Sequence, residues 1–231
     1  MAGRATWELT ELRSACDAAI DQLWAAEPNH IVVVGGGDQT DTYASSAIGS
    51  FAGYGLPLAV RLGGGDTSTD GPAATLPLSL TVGAWLLRDR PDRPIRVGHS
   101  VATDATMVEC QALGASSASD SSRLGFLIMG DGSACHGSKS PGYDDPRATP
   151  FDAKVTNALA ACDTSVLLAL DVGVATELLV AGRSAWQVMA GAVDAAGGEW
   201  AGSVTYADAP YGVHYTVATW RPVAVDPVGA A

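Results

Sequence analysis

The stretch His30-Ile31-Val32-Val33-Val34-Gly35-Gly36-Gly37 decides the fold of this chain. Its four apolar residues are all β-branched and follow one another without alternation, which is typical of a strand buried on both faces in the middle of a parallel sheet. The glycine run ends that strand. On its amino side, an amphipathic helix is predicted over residues 7–27. The apolar positions of this helix recur at Leu12, Cys16, Ile20 and Leu23.

Further strands and helices alternate along the rest of the chain. Strands are predicted at 56–62, 95–101 and 126–129, and helices at 78–87, from Asp104 as cap to 113, from Thr149 as cap onward, at 163–171 and at 174–195. In the helix that Thr149 begins, Asp152 suits the third position. Two alternating segments, 199–206 and 213–220, predict an antiparallel pair added to the sheet. The pattern indicates an α/β fold in one domain over 1–222, with a loose tail at 223–231. Its mostly parallel central sheet is flanked by helices on both faces.

Composition excludes several classes of protein. The chain has 231 residues, of which 47% are hydrophobic and 16% charged, so it can form a packed core. Its formal net charge of -12 is not offset by any cluster of Lys and Arg, which argues against nucleic acid as a partner. No run approaches the ~20 apolar residues of a membrane span. The four cysteines form no CxxC pair, and we expect a reduced, cytoplasmic protein.

Three predicted strands end in glycine followed by an acid. These acids are Asp38, Asp66 and Asp131. Ligands of parallel sheets bind outside the carboxyl ends of the strands, so the three carboxylates and His99 are expected near a crevice that holds a small molecule. Asp38, Asp66 and His99 are the candidate metal ligands. The alternative is that each Gly-Asp pair only makes a tight turn.

The loop after the strand at 126–129 carries the most candidate catalytic groups. Asp131, Ser133 and His136 lie within six residues of one another, and Cys135 is next to the histidine. These residue types can supply a nucleophile or a proton acceptor, which suggests a hydrolase or transferase, although no spacing supports a catalytic triad. The other histidines near strands, His30 and His214, are expected to be structural.

Several motifs resemble the B-subunit-like family of class III extradiol ring-cleavage dioxygenases, which includes the Memo-like proteins. The motifs are Phe126-Leu-Ile-Met-Gly-Asp-Gly-Ser-Ala134, Pro141-Gly-Tyr-Asp-Asp-Pro-Arg-Ala148, Pro150-Phe-Asp152, Leu76-Pro77-Leu78 and Pro210-Tyr-Gly-Val-His-Tyr215. The resemblance spans most of the chain from about residue 30. It implies a central sheet flanked by helices, with an active site at one end. Active members hold ferrous iron through two histidines and a carboxylate, use a further histidine as acid and base, and cleave catechols.

This sequence departs from the family at the metal-ligand positions. Thr40 stands where a histidine is expected after the first inner strand, Gly71 where one precedes Leu76-Pro77-Leu78, and Ala134 in the histidine slot of the Gly-Asp-x-Ser-His motif. Loss of imidazoles weakens a ferrous site. We therefore expect a degenerate site, which holds Fe(II) or another divalent metal, or no cofactor at all. An oxygen-rich set such as Asp38, Asp66 and Asp131 would favour magnesium, calcium or manganese.

Two functions follow from the resemblance. The first is a metal-dependent oxidoreductase with a remodelled site, acting on a small aromatic substrate. The alternative is a catalytically inactive family member that binds a ligand or regulates another protein. The family's first strand has no counterpart here, so we expect an upstream in-frame segment, a partner chain or a second copy in a homo-oligomer to cover an apolar edge at Ile31–Val34 or its neighbour.

Overall fold

The computed structural model of the protein describes residues 9–67, 74–119 and 123–224. Its helices are α1 (Thr10–Ala25), α2 (Leu78–Leu86), α3 (Met107–Ser117), α4 (Ala148–Ala161), α5 (Thr164–Leu168), α6 (Val172–Glu177) and α7 (Arg183–Ala196). Its strands are β1 (His30–Gly37), β2 (Asp41–Tyr43), β3 (Ile48–Ser50), β4 (Ala59–Arg61), β5 (Ile95–Ala102), β6 (Leu124–Met129), β7 (Trp200–Asp208) and β8 (Tyr215–Pro222). None of the helices in this described part is long and apolar enough to cross a membrane.

The predicted central strand is confirmed as the middle of the main sheet. The strand order is β2-β5-β1-β6, and β1 pairs in parallel with both β5 and β6, whereas β2 is antiparallel to β5. Residues 31–34 are all buried because helices cover both faces of the sheet. Of the two places expected for an apolar edge, Ile31–Val34 or its neighbour, the end strand of this sheet is the neighbour, β6.

Helices cover the two faces through alternate side chains of β1. Ile31 and Val33 pack in one cluster with residues of α2, whereas Val32 and Val34 pack in another with residues of α3 and α7. The α/β class with helices on both faces of a mostly parallel sheet is thus confirmed. A third cluster, formed by α4 to α7 with β7 and β8, lies under the loop that follows β6.

Two predicted segments, 56–62 and the C-terminal pair, lie outside the central sheet in which they were expected. Residues 56–62 were expected in the central sheet, but only Ala59–Arg61 are extended, and they pair antiparallel with β3 in a separate two-stranded sheet. The C-terminal pair is antiparallel as predicted, yet it also forms its own two-stranded sheet instead of extending the central one. Both corrections have one reason: periodicity reports that a segment is extended, but not which edge it pairs with.

Two predicted helix caps are also wrong. Thr106, not Asp104, caps α3, and it does so in a capping box with Glu109. Helix α4 begins at Ala148, so Thr149 lies inside it, and Arg147 at the cap position makes no side-chain cap bond. Asp152 was expected to serve the helix start, but its side chain turns inward. Of the predicted tail, residues 225–231 lie outside the described residues.

Candidate functional site

A buried carboxylate forms the centre of the candidate site. Asp152, near the start of α4, is only 2% exposed. Its Oδ1 accepts a hydrogen bond of 2.9 Å from the backbone N–H of Ser133, and its Oδ2 accepts one of 2.5 Å from Ser133 Oγ. Oδ2 also lies 2.7 Å from His136 Nε2. A buried carboxylate requires such donors, and here all three come from the loop after β6.

A second histidine approaches the same carboxylate from the C-terminal hairpin. The loop pairs with the residues before β8, because Gly132 N–H donates to His214 O at 2.8 Å and His214 N–H donates to Ser133 O at 2.9 Å. His214 Nδ1 is consequently 3.9 Å from Asp152 Oδ1, and the rings of His136 and His214 are 5.9 Å apart between centroids. Burial is the main cause that lowers the pKa of His214, although Asp152 opposes the shift.

Glycine at position 132 allows this convergence. A Cβ there would lie 2.7 Å from Asp152 Oδ1 and 2.9 Å from His214 Cβ, which is closer than non-bonded atoms approach. The loop can therefore pass between the carboxylate and the second imidazole only without a side chain. This requirement explains the glycine at position 132.

The contacts separate the roles of the loop residues. Ser133 is fully buried and its hydroxyl is bonded to Asp152 rather than to an imidazole, so it positions the carboxylate. Cys135 is 1% exposed, its thiol points at Leu178 O, and burial raises its pKa, which disfavours the reactive thiolate. His136 differs from both, because its side chain is 20% exposed while Nε2 is held by Asp152. Of Ser133, Cys135 and His136, it is the one whose side chain can meet a ligand.

Asp131 lies at the carboxyl end of β6, as predicted, but outside the network around Asp152. Its backbone carbonyl accepts the N–H of Gly182, and its side chain is near Tyr215. Burial raises the pKa of the Asp131 carboxyl, and no cation contributes to the shift. Burial is likewise the first cause that raises the pKa of Tyr215, followed by the charge of Asp131. The ionised form of Asp131 is therefore costly to the folded state.

Replacing Asp131 by asparagine is expected to stabilise the protein at pH 7. A folded-state pKa above the unfolded value contributes stability at low pH and loses it as pH rises through the folded pKa. Asp131→Asn should thus raise the melting temperature more at pH 7 than at pH 4. The difference should be about 2–4 °C for each kcal/mol that the ionised carboxylate costs the folded state. Thermal unfolding at both pH values measures this. An equal shift at the two values would show that the carboxylate is not the cause.

The three predicted metal ligands are not brought together. Asp38 follows the carboxyl end of β1 and is exposed. Asp66 lies in the loop after β4. This loop is near the amino end of β5, because a Cβ on Gly64 of the loop would be 2.8 Å from Oδ1 of Asp92, which precedes β5. His99 is in the middle of β5, where its Nδ1 is 3.1 Å from Thr42 Oγ1 and burial lowers its pKa.

The Asp152 cluster brings together two histidines and one carboxylate, the residue types that the family resemblance implies for iron. Among residues 9–67, 74–119 and 123–224, no group of three His, Cys, Asp or Glu side chains is arranged to hold a metal ion. Two imidazoles and a carboxylate do meet at Asp152, but both oxygens already accept hydrogen bonds from Ser133 and His136. Each carboxylate oxygen carries two lone pairs, so Oδ1, which accepts one bond from Ser133, keeps a free acceptor site.

Two members of the cluster were not singled out as functional from the sequence. Asp152 was interpreted as a helix-start residue, and His214 as a structural histidine in a strand. The available signal was weak: both belong to motifs of the family resemblance, Pro150-Phe-Asp152 and Pro210-Tyr-Gly-Val-His-Tyr215. Only the chain fold shows that these motifs, 62 positions apart between Asp152 and His214, converge on the loop at 130–136.

Comparisons with known proteins add no further assignment. No protein-family model matches the chain, and a search of curated proteins returns no match. What the protein does must therefore be inferred from the geometry of the Asp152 cluster and from the motifs of the sequence.

Proposed function

We propose that the protein is an enzyme that moves a proton from the hydroxyl or enol group of a small molecule to another atom of the same molecule. His136 is the general base that takes this proton. The observation that carries this proposal is the 2.7 Å contact between His136 Nε2 and the buried Asp152 carboxylate. Buried carboxylates that hold an imidazole in one orientation are a recurrent device of acid–base catalysis. The proton taken from the ligand returns to another atom of it, so no oxidant or reductant is consumed.

The hydrogen-bond pattern decides which nitrogen of His136 is available. Asp152 Oδ2 accepts from Ser133 Oγ, and a carboxylate that accepts in this way requires Nε2 of His136 to donate as well. In the neutral imidazole this leaves Nδ1 without its proton and able to accept one. Asp152 then holds this tautomer and stabilises the imidazolium that forms.

The sequence resemblance supports a related but different function. Membership in the extradiol dioxygenase-like family would make a hydroxylated aromatic the first substrate class to test, in a metal-dependent oxidoreductase. The contact between His136 Nε2 and Asp152 supports proton transfer as the first reaction to test. The alternative, a catalytically inactive ligand-binding or regulatory member, is favoured by Thr40 and Ala134 at histidine positions of the family.

A tautomerisation assay tests the proposal. The metal-free protein is mixed with the enol of phenylpyruvate, and its conversion to the ketone is followed by absorbance. The wild type should accelerate this conversion, and His136→Gln should lower the acceleration by about 100-fold or more, because glutamine can still reach Asp152 but cannot take a proton. His99→Gln replaces a half-buried histidine in β5, away from the Asp152 cluster; it is the matched control and should remain within about twofold.

Other outcomes identify the competing functions. Equal rates for the wild type and His136→Gln would overturn the role of His136. Oxygen uptake with catechol and added ferrous iron would favour the oxidoreductase instead. Binding of catechol without turnover in either assay would favour the ligand-binding alternative.

A further inference from the structure

Three exposed apolar side chains occupy a backbone conformation that side chains rarely adopt. Tyr143, Leu179 and Tyr211 have φ angles of 62°, 54° and 59°, and they are 74%, 48% and 58% exposed. Within the described part of the chain, the other non-glycine residues with positive φ are Glu27 and Cys162. Most residues of this conformational class are thus large apolar side chains that face solvent.

These three residues lie on loops that are fastened to the segment carrying His136. Two hydrogen bonds join Ser140 and Tyr143. Tyr143 N–H donates to Ser140 O, and Ser140 Oγ donates to Tyr143 O. Next to Leu179, the carbonyl of Leu178 accepts the N–H of Ala134.

The third loop is attached directly at the histidine. Gly212, the neighbour of Tyr211, accepts the N–H of His136 through its carbonyl. A Cβ on Gly142, beside Tyr143, would lie 3.0 Å from Leu179 Cδ1, so two of the three loops touch through a side chain. The three loops that carry these apolar residues are therefore bonded to one segment, residues 134–143, which includes His136.

Folding alone does not explain the choice of these residues. Left-handed backbone is strained for any residue with a Cβ, and an exposed apolar side chain gains little from burial. Leu179 follows the end of α6, where Leu179 N–H bonds Thr176 O and Val180 N–H bonds Ala175 O, and glycine is the usual residue at such a position. Strain that is kept although a simple substitution would relieve it points to a functional constraint.

We propose that Tyr143, Leu179 and Tyr211 form an apolar rim around the mouth of the His136 site and determine its specificity. The rim packs against the apolar body of a ligand whose hydroxyl reaches His136, so that small polyols are rejected and molecules with an apolar body are held. This inference rests on the proposed function for the position of the hydroxyl, but it concerns ligand binding and not proton transfer.

Binding of 1-naphthol to the full chain, measured by isothermal titration calorimetry, tests the rim. The variants are Leu179→Gly, Tyr143→Asn and Tyr211→Asn, whose new residues accept the left-handed conformation. Leu179→Gly should raise the dissociation constant of 1-naphthol at least tenfold, and each tyrosine variant should raise it severalfold. Each should also raise the melting temperature by about 2–4 °C, because the strain is relieved. A loss of binding together with a gain in stability is not what a structural role would give.

Two control variants separate strain and exposure from the rim. Glu27→Gly relieves the same strain elsewhere and should raise the melting temperature without changing naphthol binding. Tyr54→Asn removes a tyrosine that is 68% exposed in another loop, and it should leave binding unchanged. Glycerol should not bind the wild type.

The outcomes for the rim and for His136 are distinguishable. His136→Gln should retain naphthol binding within about threefold even if turnover is lost. Unchanged binding in all three rim variants, or no saturable binding of 1-naphthol by the wild type, would overturn the rim. So would a dimer in sedimentation that Leu179→Gly converts to monomers, since the rim would then be a contact between copies.

Discussion

Replacing Asp152 by alanine is expected to lower the free energy of unfolding by about 3–5 kcal/mol. The carboxylate is 2% exposed and accepts hydrogen bonds from Ser133 N–H, Ser133 Oγ and His136 Nε2. Without it, buried donors of Ser133 lose their acceptor, and a cavity remains between α4 and the loop after β6. Urea denaturation followed by circular dichroism measures the change.

Two substitutions sharpen this experiment. Asp152→Asn keeps the side-chain volume but loses the charge, so it should cost roughly half as much as alanine. Asp171→Asn is the matched control, because Asp171 caps α6 through Val174 N–H at an exposed position where asparagine caps equally well. It should change stability by no more than about 0.5 kcal/mol. A loss below about 1 kcal/mol for Asp152→Ala would show that the network contributes little to the fold.

Replacing Gly114 by valine should destabilise the protein by about 3 kcal/mol. This glycine lies in α3 where it crosses α7, and a Cβ there would be 2.0 Å from Val188 O and 2.7 Å from Ala192 N. The obstacle is helix backbone, which cannot rotate aside, so the two helices would have to separate. Alanine should cost less, since its single methyl group gains helix propensity that offsets part of the clash. Thermal and urea unfolding report both variants.

A glycine without neighbours provides the control for this contact. Gly53 has no heavy atom within 4 Å of an added Cβ. Gly53→Ala should therefore stay within about 0.5 kcal/mol of the wild type. Gly191, on the α7 side of the same crossing, should behave like Gly114, because its Cβ would lie 2.4 Å from Gln111 O. If Gly114→Val and Gly53→Ala were equally tolerated, the close approach of α3 and α7 would be refuted.

Sequence reasoning succeeded where a property repeats along the chain. The β-branched run at 31–34 specified a buried parallel strand, since only burial on both faces makes such a run favourable. It failed for residues 56–62, because Ala59–Arg61 are equally extended in a small sheet of their own. The capping residue of α3 was also missed, as Asp104 and Thr106 are both good caps and the Glu109 partner decides between them.

Some residues of the candidate site were likewise predicted from the sequence, and others were not. The loop with Asp131, Ser133 and His136 was identified from its residue types and from its place after a strand. The prediction grouped Asp38, Asp66 and His99 because each was expected near a strand end. Asp38 follows β1 of the central sheet, Asp66 follows β4 of a separate small sheet, and His99 lies inside β5. Asp152 and His214 were missed as functional residues because a helix residue and a strand residue carry no local sign that their side chains meet.

By itself, the sequence determined the central parallel strands, most of the helices and the segment that can supply an imidazole, because hydrophobic periodicity and glycine positions are local properties. It did not predict β2 or β3, and the one helix predicted at 174–195 is divided between α6 and α7. Only the tertiary structure decided which edges pair, that Asp152 turns inward, and that His136 and His214 meet across it. The physical reason is that a hydrogen bond to a buried carboxylate depends on distances of a few tenths of an ångström between residues far apart in the chain. Local pattern does not encode such distances, whereas packing of the whole fold fixes them.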